Sequence, residues 1–300
     1  MPGQNGEAPA PGAGGRLPSN LRIGTSSWSA GDWVGPFYPK GMQPADFLAF
    51  YATRYDTVEV DSTFYRSPAP RVVDGWRQRT PDGFVFSAKV PQIITHEKGL
   101  VDCDEEMNGF LQAISRLGDR LGPLLLQFPY FARGRGAGEF ETGTDFRGRL
   151  GEFLARMPGE FRFAVDIRNE KWLKAELLDT LRENGAALAL LDYYTLPSID
   201  RLLQTIDPLT ADFLYVRLLG NHRKMDELVE ARAAARGGRR WSEVVVDRSR
   251  ECALWVAALQ TLSPRVPKGW VFVNNHYAGF APGSIDLLVS LFDGPASRPD

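Results

Sequence analysis

Cysteine is scarce in this chain, and its two copies, Cys103 and Cys252, lie far apart in the sequence. Neither has a histidine or a second cysteine at the spacing of a metal site, so the pattern excludes a disulfide framework and a structural zinc site. Two isolated thiols are typical of a protein that folds in a reducing compartment. We therefore expect both cysteines to be free and buried, and the protein to be cytoplasmic.

Long apolar runs and a strong excess of one charge are also absent. No segment approaches the roughly 20 apolar residues that cross a bilayer, which argues against a membrane partner. The formal net charge is -2, which argues against a nucleic-acid partner. Residues 1–20 are rich in glycine, proline and alanine and lack the features of a secretory signal. We expect a disordered tail over 1–20, a folded domain over 21–293 and a short tail over 294–300.

Short apolar or β-branched runs alternate along the chain with longer stretches whose apolar residues recur three and four positions apart. Strands that alternate with helices indicate parallel pairing, with the helices outside the sheet. The strand candidates are 21–25, 57–61, 84–89, 123–128, 161–166, 187–192, 212–218 and 269–275. The helix candidates are 44–55, 107–117, 150–157, 173–184, 199–206 and 250–262, with a short closing helix over 283–292.

Eight such units predict an α/β fold of the (β/α)8 TIM-barrel class, in which eight parallel strands close on themselves. An open doubly wound sheet is the alternative. Such a sheet carries a Gly-rich phosphate-binding turn after its first strand, whereas that turn reads GTSSWSAGDW here, without G-x-G-x-x-G. Two connections are long for a barrel. The first, 133–144, is Gly-rich and predicted to be a mobile loop; the second, 219–247, is predicted to contain a helix and form a lid or insertion.

Polar side chains end many of the predicted strands, where a buried barrel strand is expected to be apolar. In a (β/α)8 barrel the chemistry lies at the carboxyl ends of the strands, so these side chains are expected to converge on one mouth. This convergence is the strongest functional signal in the sequence. The residues are Glu59, Asp61, Lys89, Gln127, Asp166, Arg168, Asp192, Arg217, Asn274, Asn275 and His276.

Each of these residues also has a purely structural explanation. Glu59 and Lys89 could form an ion pair at the end of the barrel, and Asp166 could pair with Arg168. Arg217 lies inside an apolar strand, so its guanidinium needs an anionic partner, which either the protein or a ligand could supply. The sequence alone leaves both explanations open.

Aromatic and histidine side chains near the predicted mouth present the same choice. Trp28, Tyr65 and Trp172 could line a substrate cleft or pack helices onto the barrel, and packing is the more common role. Of the histidines, only His96 and His276 are expected to reach the mouth, either for catalysis or for ordinary hydrogen bonds.

Several motifs occur in one order along the chain. They are 23–28 (IGTSSW), 37–39 (FYP), 57–65 (TVEVDSTFY), 86–91 (FSAKVP), 95–96 (TH), 126–129 (LQFP), 215–218 (YVRL) and 272–276 (FVNNH). From about Leu21 to Phe292 the chain resembles the YecE-like family, domain-of-unknown-function family seventy-two. The resemblance implies a barrel fold and a sugar-isomerase-like activity.

Two positions depart from the family pattern. The family has Glu-x-Arg-His-x-x-Trp after strand five, whereas this chain keeps Asp166, Arg168 and Trp172 but has Asn169 in place of the histidine. After strand seven the family pattern Arg-x-His-Gly reads RLLG over 217–220. The resemblance therefore implies a chemistry that uses no imidazole at either position.

The leading hypothesis is an enzyme that performs acid/base chemistry, of isomerase, lyase or hydrolase type, on a sugar-like or phosphorylated small molecule. Glu59 is the expected base, Lys89 the acid or electrostatic partner, and Asp166 a second carboxylate. Lysine is far rarer than arginine in this chain, and the Lys89 amine could also form an imine. The expected substrate-binding residues are Trp28, Tyr65, His96, Gln127, Arg168, Arg217, Asn274, Asn275 and His276.

Two other hypotheses remain open. A metal-dependent enzyme would use Glu59, Asp61 and Asp166 with His96 and His276, although the sequence assigns neither a metal site nor a cofactor. A non-catalytic protein would use the mouth to bind a metabolite or nucleic-acid ends. The Arg-rich segment 236–241 is either a solvated face or an anion-binding lid. The loop 279–284 leads into a helix N-terminus and could hold a phosphate.

Overall fold

The computed structural model describes residues 17–130, 142–238 and 240–293. Most of the predicted N-terminal tail, most of the Gly-rich loop 133–144 and the C-terminal tail 294–300 lie outside these ranges. Near the start of the described chain, Asn20 donates from its side-chain amide to the backbone carbonyls of Ser263 and Val266, both at 2.8 Å. These bonds attach the segment before the first strand to the loop before the last strand.

Eight parallel strands form the predicted barrel. They are β1 (Leu21–Thr25), β2 (Thr57–Val60), β3 (Val85–Lys89), β4 (Leu121–Gln127), β5 (Phe163–Asp166), β6 (Ala187–Tyr193), β7 (Phe213–Gly220) and β8 (Lys268–Val273). Neighbouring strands pair in the order β1-β8-β7-β6-β5-β4-β3-β2, and the two ends of this series meet. The predicted (β/α)8 fold is therefore confirmed, and the bounds of its strands differ from the prediction by at most two residues.

Helices follow the strands along the described chain. They are α1 (Phe47–Tyr51), α2 (Pro70–Gln78), α3 (Asp104–Ile114), α4 (Gly143–Ala155), α5 (Ala175–Glu183), α6 (Ile199–Thr205), α7 (His222–Arg236), α8 (Ser249–Leu262) and α9 (Ala281–Ser290). None of the helices within the described ranges is both long and apolar enough to cross a membrane.

Three helical segments differ most from the prediction. The helix predicted over 150–157 is α4, which starts at Gly143, within the predicted loop 133–144. The predicted helix 44–55 is only partly α-helical, because its first turn is a 3-10 helix and α1 ends at Tyr51. The helix α2 was not predicted, since its sequence is polar and contains proline and glycine. It forms because Pro70 stands in the first turn, where no intrahelical N–H is needed, and because Val73 and Trp76 bury one face against the barrel.

The barrel closes between β1 and β2, where strand pairing is reduced to one bridge between Ser26 and Glu59. The hydroxyl of Tyr51 lies in this seam. It accepts a hydrogen bond from the backbone N–H of Thr25 at 2.8 Å and donates to the carbonyl of Thr57 at 3.1 Å. The Tyr51 side chain therefore supplies hydrogen bonds that the backbones of β1 and β2 do not make with each other at this point.

Alternate residues of each strand point into the barrel, and the others pack against the helices. Among the inward residues, large apolar side chains such as Trp270 and Phe272 fill the interior. Polar inward residues cluster at the carboxyl ends of the strands. They are Glu59, Lys89, Gln127, Asp166 and Arg217, together with Ser87 one layer below. The alternation of the strands thus places five of the predicted site residues at one mouth.

The long connection after β7 consists of α7 and a returning segment, 240–248. The returning segment runs beside the loop that follows β8, where the backbone N–H of Val245 donates to the carbonyl of Ala278 at 2.7 Å. Farther back along this segment, the ring of Trp241 lies 4.6 Å from the ring of His276. The predicted insertion therefore forms one wall of the mouth.

Candidate functional site

Arg217 lies inside the barrel near the carboxyl end of β7 and is 2% exposed. Its Nε and Nη2 donate to the two carboxylate oxygens of Glu59, at 2.9 and 2.8 Å, which forms a bidentate ion pair. Its Nη1 donates to Asp166 at 2.5 Å and to the side-chain oxygen of Gln127 at 3.3 Å. The protein itself therefore supplies the anionic partner that Arg217 requires. We call these four side chains the Arg217 cluster.

Glu59 has further hydrogen bonds on its inner side. The Tyr215 hydroxyl donates to Oε2 of Glu59 at 2.7 Å, and the Ser87 hydroxyl lies 2.7 Å from that of Tyr215. Burial, reinforced by the charge of Glu59, raises the pKa of Tyr215 well above its ordinary value, so this hydroxyl stays protonated. Each carboxylate oxygen of Glu59 thus accepts at least one hydrogen bond, and the residue is 0% exposed.

Arg217 keeps its positive charge at neutral pH. Burial alone would lower the pKa of Arg217, but the carboxylates of Glu59 and Asp166 outweigh it and raise the pKa above its ordinary value. A general base needs a lone pair that faces the proton it removes. In this geometry Arg217 and Tyr215 occupy three of the about four acceptor positions of the Glu59 carboxylate, so Glu59 serves as a counter-ion within the cluster.

Lys89 and Asp61 form a second ion pair, nearer to solvent. The Nζ of Lys89 lies 2.5 Å from Oδ1 of Asp61, so its partner is Asp61 rather than Glu59. Burial lowers the pKa of Lys89 below its ordinary value, although the charge of Asp61 acts in the opposite direction. Burial would raise the pKa of Asp61, but the charge and hydrogen bond of Lys89 outweigh it and hold that pKa below its ordinary value.

The Lys89–Asp61 pair connects the barrel interior to solvent. The Lys89 side chain is 8% exposed, whereas that of Asp61 is 37% exposed. The Lys89 ammonium also lies over the ring of Phe64, 4.6 Å from its centroid. Of the two groups, the carboxylate of Asp61 is the more accessible to a molecule that enters the mouth.

His96 lies beside this pair. Its ring contacts the ring of Phe64 at 5.0 Å, and its Nδ1 is 2.8 Å from the Thr95 hydroxyl. Burial, together with the charges of Lys89 and Arg168, lowers the pKa of His96 to about 4. His96 is therefore an uncharged hydrogen-bonding group of the mouth at neutral pH.

Arg168 extends the Arg217 cluster toward the rim. Its Nε lies 3.3 Å from Oδ1 of Asp166, as the pairing alternative predicted. Its Nη1 donates to the Tyr193 hydroxyl at 3.3 Å, and the guanidinium stacks over the Tyr193 ring at 4.5 Å. The fully buried carboxylate of Asp166 therefore forms ion pairs with two arginines, Arg168 and Arg217.

His222 also lies at the mouth, and the prediction that only His96 and His276 reach it is wrong. His222 is the first residue of α7, and its ring stacks on that of His276 with centroids 4.3 Å apart. It also contacts the Tyr193 ring at 5.9 Å. Burial, followed by the charges of His276 and the nearby arginines, lowers its pKa to about 4. Its position, just after a barrel strand and an Asn N-cap, was the signal that could have found it.

His276 is held on two sides. Its Nδ1 and its backbone N–H lie 2.8 and 3.0 Å from the side-chain oxygen of Asn274, and its Nε2 lies 3.3 Å from Asp226 of α7. Burial lowers the pKa of His276, although the charge of Asp226 acts in the opposite direction. Asn274, a predicted substrate-binding residue, thus uses its oxygen to orient His276.

The side-chain oxygen of Asn275 bonds to other groups of the protein. This oxygen accepts hydrogen bonds from the indole N–H of Trp33 at 3.2 Å and from the backbone N–H of Ala281 at 3.0 Å. The predicted phosphate position, at the N-terminus of α9, is also closely packed. A Cβ at Gly279 would lie 2.7 Å from the side chain of Val245. The returning segment therefore covers this loop.

The aromatic candidates lie in different environments. Trp28 packs edge-on against Trp76 and Phe86, at 5.8 and 6.3 Å, in the layer between barrel and helices. Trp172 stacks on an aromatic ring of α4 at 4.9 Å. Packing therefore explains both tryptophans. Tyr65, which follows β2, is 70% exposed at the rim of the mouth.

Asp192 does not reach the mouth, contrary to the prediction. Its carboxylate accepts a hydrogen bond at 2.9 Å from the indole N–H of Trp255 in α8. The reason is the twofold alternation of β6, in which Leu191 and Tyr193 point inward and the residue between them points to the helices. Both cysteines are free and buried, as predicted.

Comparison with known proteins identifies the family. Residues 22–299 match a family profile described as "Protein of unknown function DUF72". The chain belongs to the DUF72 family. A solved DUF72 family protein from Thermotoga maritima MSB8 has 27% sequence identity and a TM-score of 0.67, over 90% of this chain and 97% of that one. A DUF72 family protein from Enterococcus faecalis, 20% identical, shares the fold with a TM-score of 0.65.

Curated DUF72 relatives include the UPF0759 protein YecE of Escherichia coli K12, 33% identical over 162 residues, 54% of this chain. That match spans 53% of YecE, so the chain covers about half the length of this relative. The UPF0759 protein YunF of Bacillus subtilis is 23% identical over 288 residues, 91% of this chain and 95% of that protein. These comparisons support the (β/α)8 barrel fold and the family resemblance that the sequence motifs indicated.

The acidic residues of this DUF72 mouth are all engaged by cations of the chain. Glu59 and Asp166 contact arginines, and Asp61 contacts Lys89. Accordingly, the described part of the chain contains no group of three or more His, Cys, Asp or Glu side chains arranged to hold a metal ion.

The Arg-rich segment after α7 is compensated by acids of the same region. Arg240 lies 2.8 Å from Glu230 and 3.5 Å from Asp226, and Arg236 lies 3.4 Å from Glu243. These pairs compensate the described arginines only in part, since Glu243 also pairs with Arg232.

Proposed function

We propose that this DUF72 protein is an enzyme that transfers protons on a small sugar-like molecule bound at the mouth of the barrel. The observation that carries the proposal is the Lys89–Asp61 pair, in which a buried ammonium with a lowered pKa contacts a partly exposed carboxylate. Enzymes obtain acid/base groups by shifting pKa values through burial and charge in this way. The free, buried cysteines support a cytoplasmic setting.

We assign separate roles in support, ligand binding and proton transfer to the residues of the mouth. Together with Arg168, which pairs with Asp166, the Arg217 cluster is a charge-balanced support beneath the site. This is the role that we assign to Glu59, Asp166 and Gln127. Arg168, His96 and Tyr193 would hold hydroxyl groups of the bound molecule by hydrogen bonds. We assign proton transfer to Asp61 and its partner Lys89. The carboxylate of Asp61 is open to solvent, whereas those of Glu59 and Asp166 are buried.

A sugar-isomerase-like reaction fits these two groups. The Asp61 carboxylate would take the proton from the carbon next to the sugar carbonyl, while Lys89 donates a proton to the carbonyl oxygen and gives an enediol. Return of the protons to the exchanged positions would complete an aldose–ketose conversion. Both groups end in their starting state, so no oxidant or reductant is needed.

Thermal unfolding with ligands tests the location of the site. Wild type, Lys89→Met and the control Lys268→Met would be melted with D-glucose, D-fructose, D-xylose, their phosphates and divalent cations. Lys268 is exposed at the opposite end of the barrel, at the start of β8. A ligand at a hundred times its dissociation constant stabilises a protein by about 2.7 kcal/mol. We expect this shift in wild type and Lys268→Met and its loss in Lys89→Met; a retained shift in Lys89→Met, or none in wild type, contradicts the proposal.

Two measurements on the ligand that binds separate the reaction classes. NMR in D2O would show deuterium entering the carbon next to the carbonyl, with loss of this exchange in Asp61→Asn. Borohydride trapping of an adduct at Lys89 would instead indicate imine chemistry of lyase type. Binding with neither exchange nor trapping would favour the non-catalytic alternative.

A further inference from the structure

Two buried polar side-chain atoms at the carboxyl ends of the barrel strands have no hydrogen-bond partner in the described part of the chain. One is Oγ of Ser26, directly after β1, and the other is Nε2 of His222, a residue that is otherwise partly exposed. Buried polar atoms of native proteins are nearly always hydrogen-bonded, because leaving one unpaired lowers stability. An unpaired nitrogen beside a polar mouth therefore calls for an explanation other than stability.

The ring of His222 lies among the groups of the mouth. It contacts the Tyr193 ring at 5.9 Å, and Tyr193 in turn binds Arg168. Burial is the main cause that lowers the pKa of His222, and the charges of His276 and Arg168 add to it. Lys89 is the main cause that lowers the pKa of Asp61, and His222 adds to it. His222 is therefore within electrostatic reach of the proton-transfer pair.

The imidazole is also held in a fixed orientation. The side-chain oxygen of Asn221 accepts a hydrogen bond from the backbone N–H of Lys224 at 3.1 Å, which starts α7 at His222. The ring stacks on His276 with an interplanar angle of 24°. His276 is itself fixed by Asn274 and Asp226. Side chains that are oriented in this way by a second set of residues are typical of binding sites.

We propose that His222 is a ligand-contacting residue of the mouth, which uses Nε2 to hydrogen-bond a hydroxyl or carbonyl oxygen of the bound molecule, and that His276 is the positioning residue that orients it. This proposal rests on the proposed function and deepens it. A neutral imidazole offers one donor and one acceptor nitrogen, which suits an uncharged hydroxyl group.

The charge balance of the mouth supports the same class of ligand. In the described residues, Arg217 is paired with Glu59 and Asp166, Arg168 with Asp166, and Lys89 with Asp61. None of these cations is left over for a phosphate. A second uncharged imidazole, His96, lies near Lys89. The ligand is therefore best described as an uncharged polyhydroxylated molecule, bound by hydrogen bonds rather than by charge.

Stability measurements test His222 without a ligand. In His222→Phe the stacking on His276 is kept and the unpaired nitrogen is removed, so we expect an unchanged or higher unfolding midpoint. In His276→Phe the contacts to Asn274 and Asp226 are lost, so we expect a midpoint lower by about 4 °C or more. If His222→Phe is destabilised as much as His276→Phe, the imidazole is a structural group and the proposal is overturned.

Ligand binding separates this proposal from the proposed function. With D-glucose, D-fructose and D-xylose as probes, we expect affinity at least tenfold weaker in His222→Phe than in wild type and Lys268→Met. We also expect the 6-phosphates of glucose and fructose to bind no more tightly than the free sugars. Loss of binding in Lys89→Met with wild-type affinity in His222→Phe would overturn the role of His222 alone. No binding of any sugar to wild type would overturn both proposals.

Discussion

Arg217 and Glu59 form a bidentate ion pair inside the barrel, and neither side chain is open to solvent. The pair joins β7 to β2 across the barrel, and Asp166 of β5 accepts a hydrogen bond from the remaining guanidinium nitrogen, Nη1. Burial of charges is expensive unless they are paired and hydrogen-bonded, and this arrangement meets both conditions. The cluster can therefore support the mouth without taking part in chemistry.

The substitution Glu59→Gln would leave Arg217 with one carboxylate fewer in a buried site. We expect the free energy of unfolding to fall by about 3–5 kcal/mol, measured by urea denaturation. The matched control is Glu243→Gln, which removes an exposed carboxylate beside Arg232 and should have little effect, because solvent screens such pairs. Equal effects of the two substitutions would show that the Arg217 cluster does not depend on its charges.

The Tyr51 hydroxyl spans the seam between β1 and β2. In Tyr51→Phe the N–H of Thr25 and the carbonyl of Thr57 lose a partner in a buried place, so we expect a loss of about 1–3 kcal/mol in urea denaturation. Faster amide exchange at Thr25 should accompany it. Tyr55→Phe is the control, since this neighbouring ring packs by stacking contacts. A stability loss confined to Tyr55→Phe would disprove the role of the seam bond.

Two glycines with positive φ separate backbone strain from steric clash. Gly237, at φ 64°, follows α7 and has open space where a Cβ would lie, so Gly237→Ala should cost only the strain of a left-handed residue, about 1–2 kcal/mol. Gly220, at φ 68°, would place a Cβ 2.5 Å from the carbonyl oxygen of His276. Gly220→Ala should therefore cost clearly more than Gly237→Ala in the same thermal melts. Equal losses of stability in the two variants would mean that the backbone near His276 can shift to make room for the added Cβ.

Acid should destabilise the protein through two partly buried histidines, His96 and His222. The pKa of His96 and of His222 is about 4 in the folded state, below the ordinary value of 6.5, so the unfolded chain binds more protons between these values. Their contribution to stability is full above about pH 6.5 and falls as the pH decreases toward 4. Melts from pH 7.5 to 4.5 should therefore show a smaller decline in His222→Phe than in wild type. Parallel curves would show that His222 titrates alike in both states.

The fold could be predicted because it depends on patterns that are local in the sequence. Runs of alternating strand and helix fix the parallel pairing, since short connections leave few other ways to bury both faces of the strands. The short helix α2 was missed because Pro70 and Gly75 mark turns in isolation, while contact of Val73 and Trp76 with the barrel stabilises the helix. Propensity is weaker than such tertiary burial.

The location of the mouth followed from the sequence as well, because every barrel strand delivers its carboxyl end to the same face. Which side chains pair there depended on distances between strands far apart in the chain. Lys89 contacts Asp61 and not Glu59, and Asp192 turns to Trp255, because the twofold alternation and the register of each strand select the partner.

His222 also shows the difference between what the sequence predicts and what the tertiary structure determines. As a residue type it is a neutral hydrogen-bonding group, and an Asn before it indicates the start of a helix. Only the packing of α7 against the end of β8 brings its ring onto His276 and lowers its pKa through burial. The sequence by itself determined the barrel and the face that carries the polar groups, through periodicity. The tertiary structure decided their protonation and partners, because burial and charge act between residues that only the closed barrel brings together.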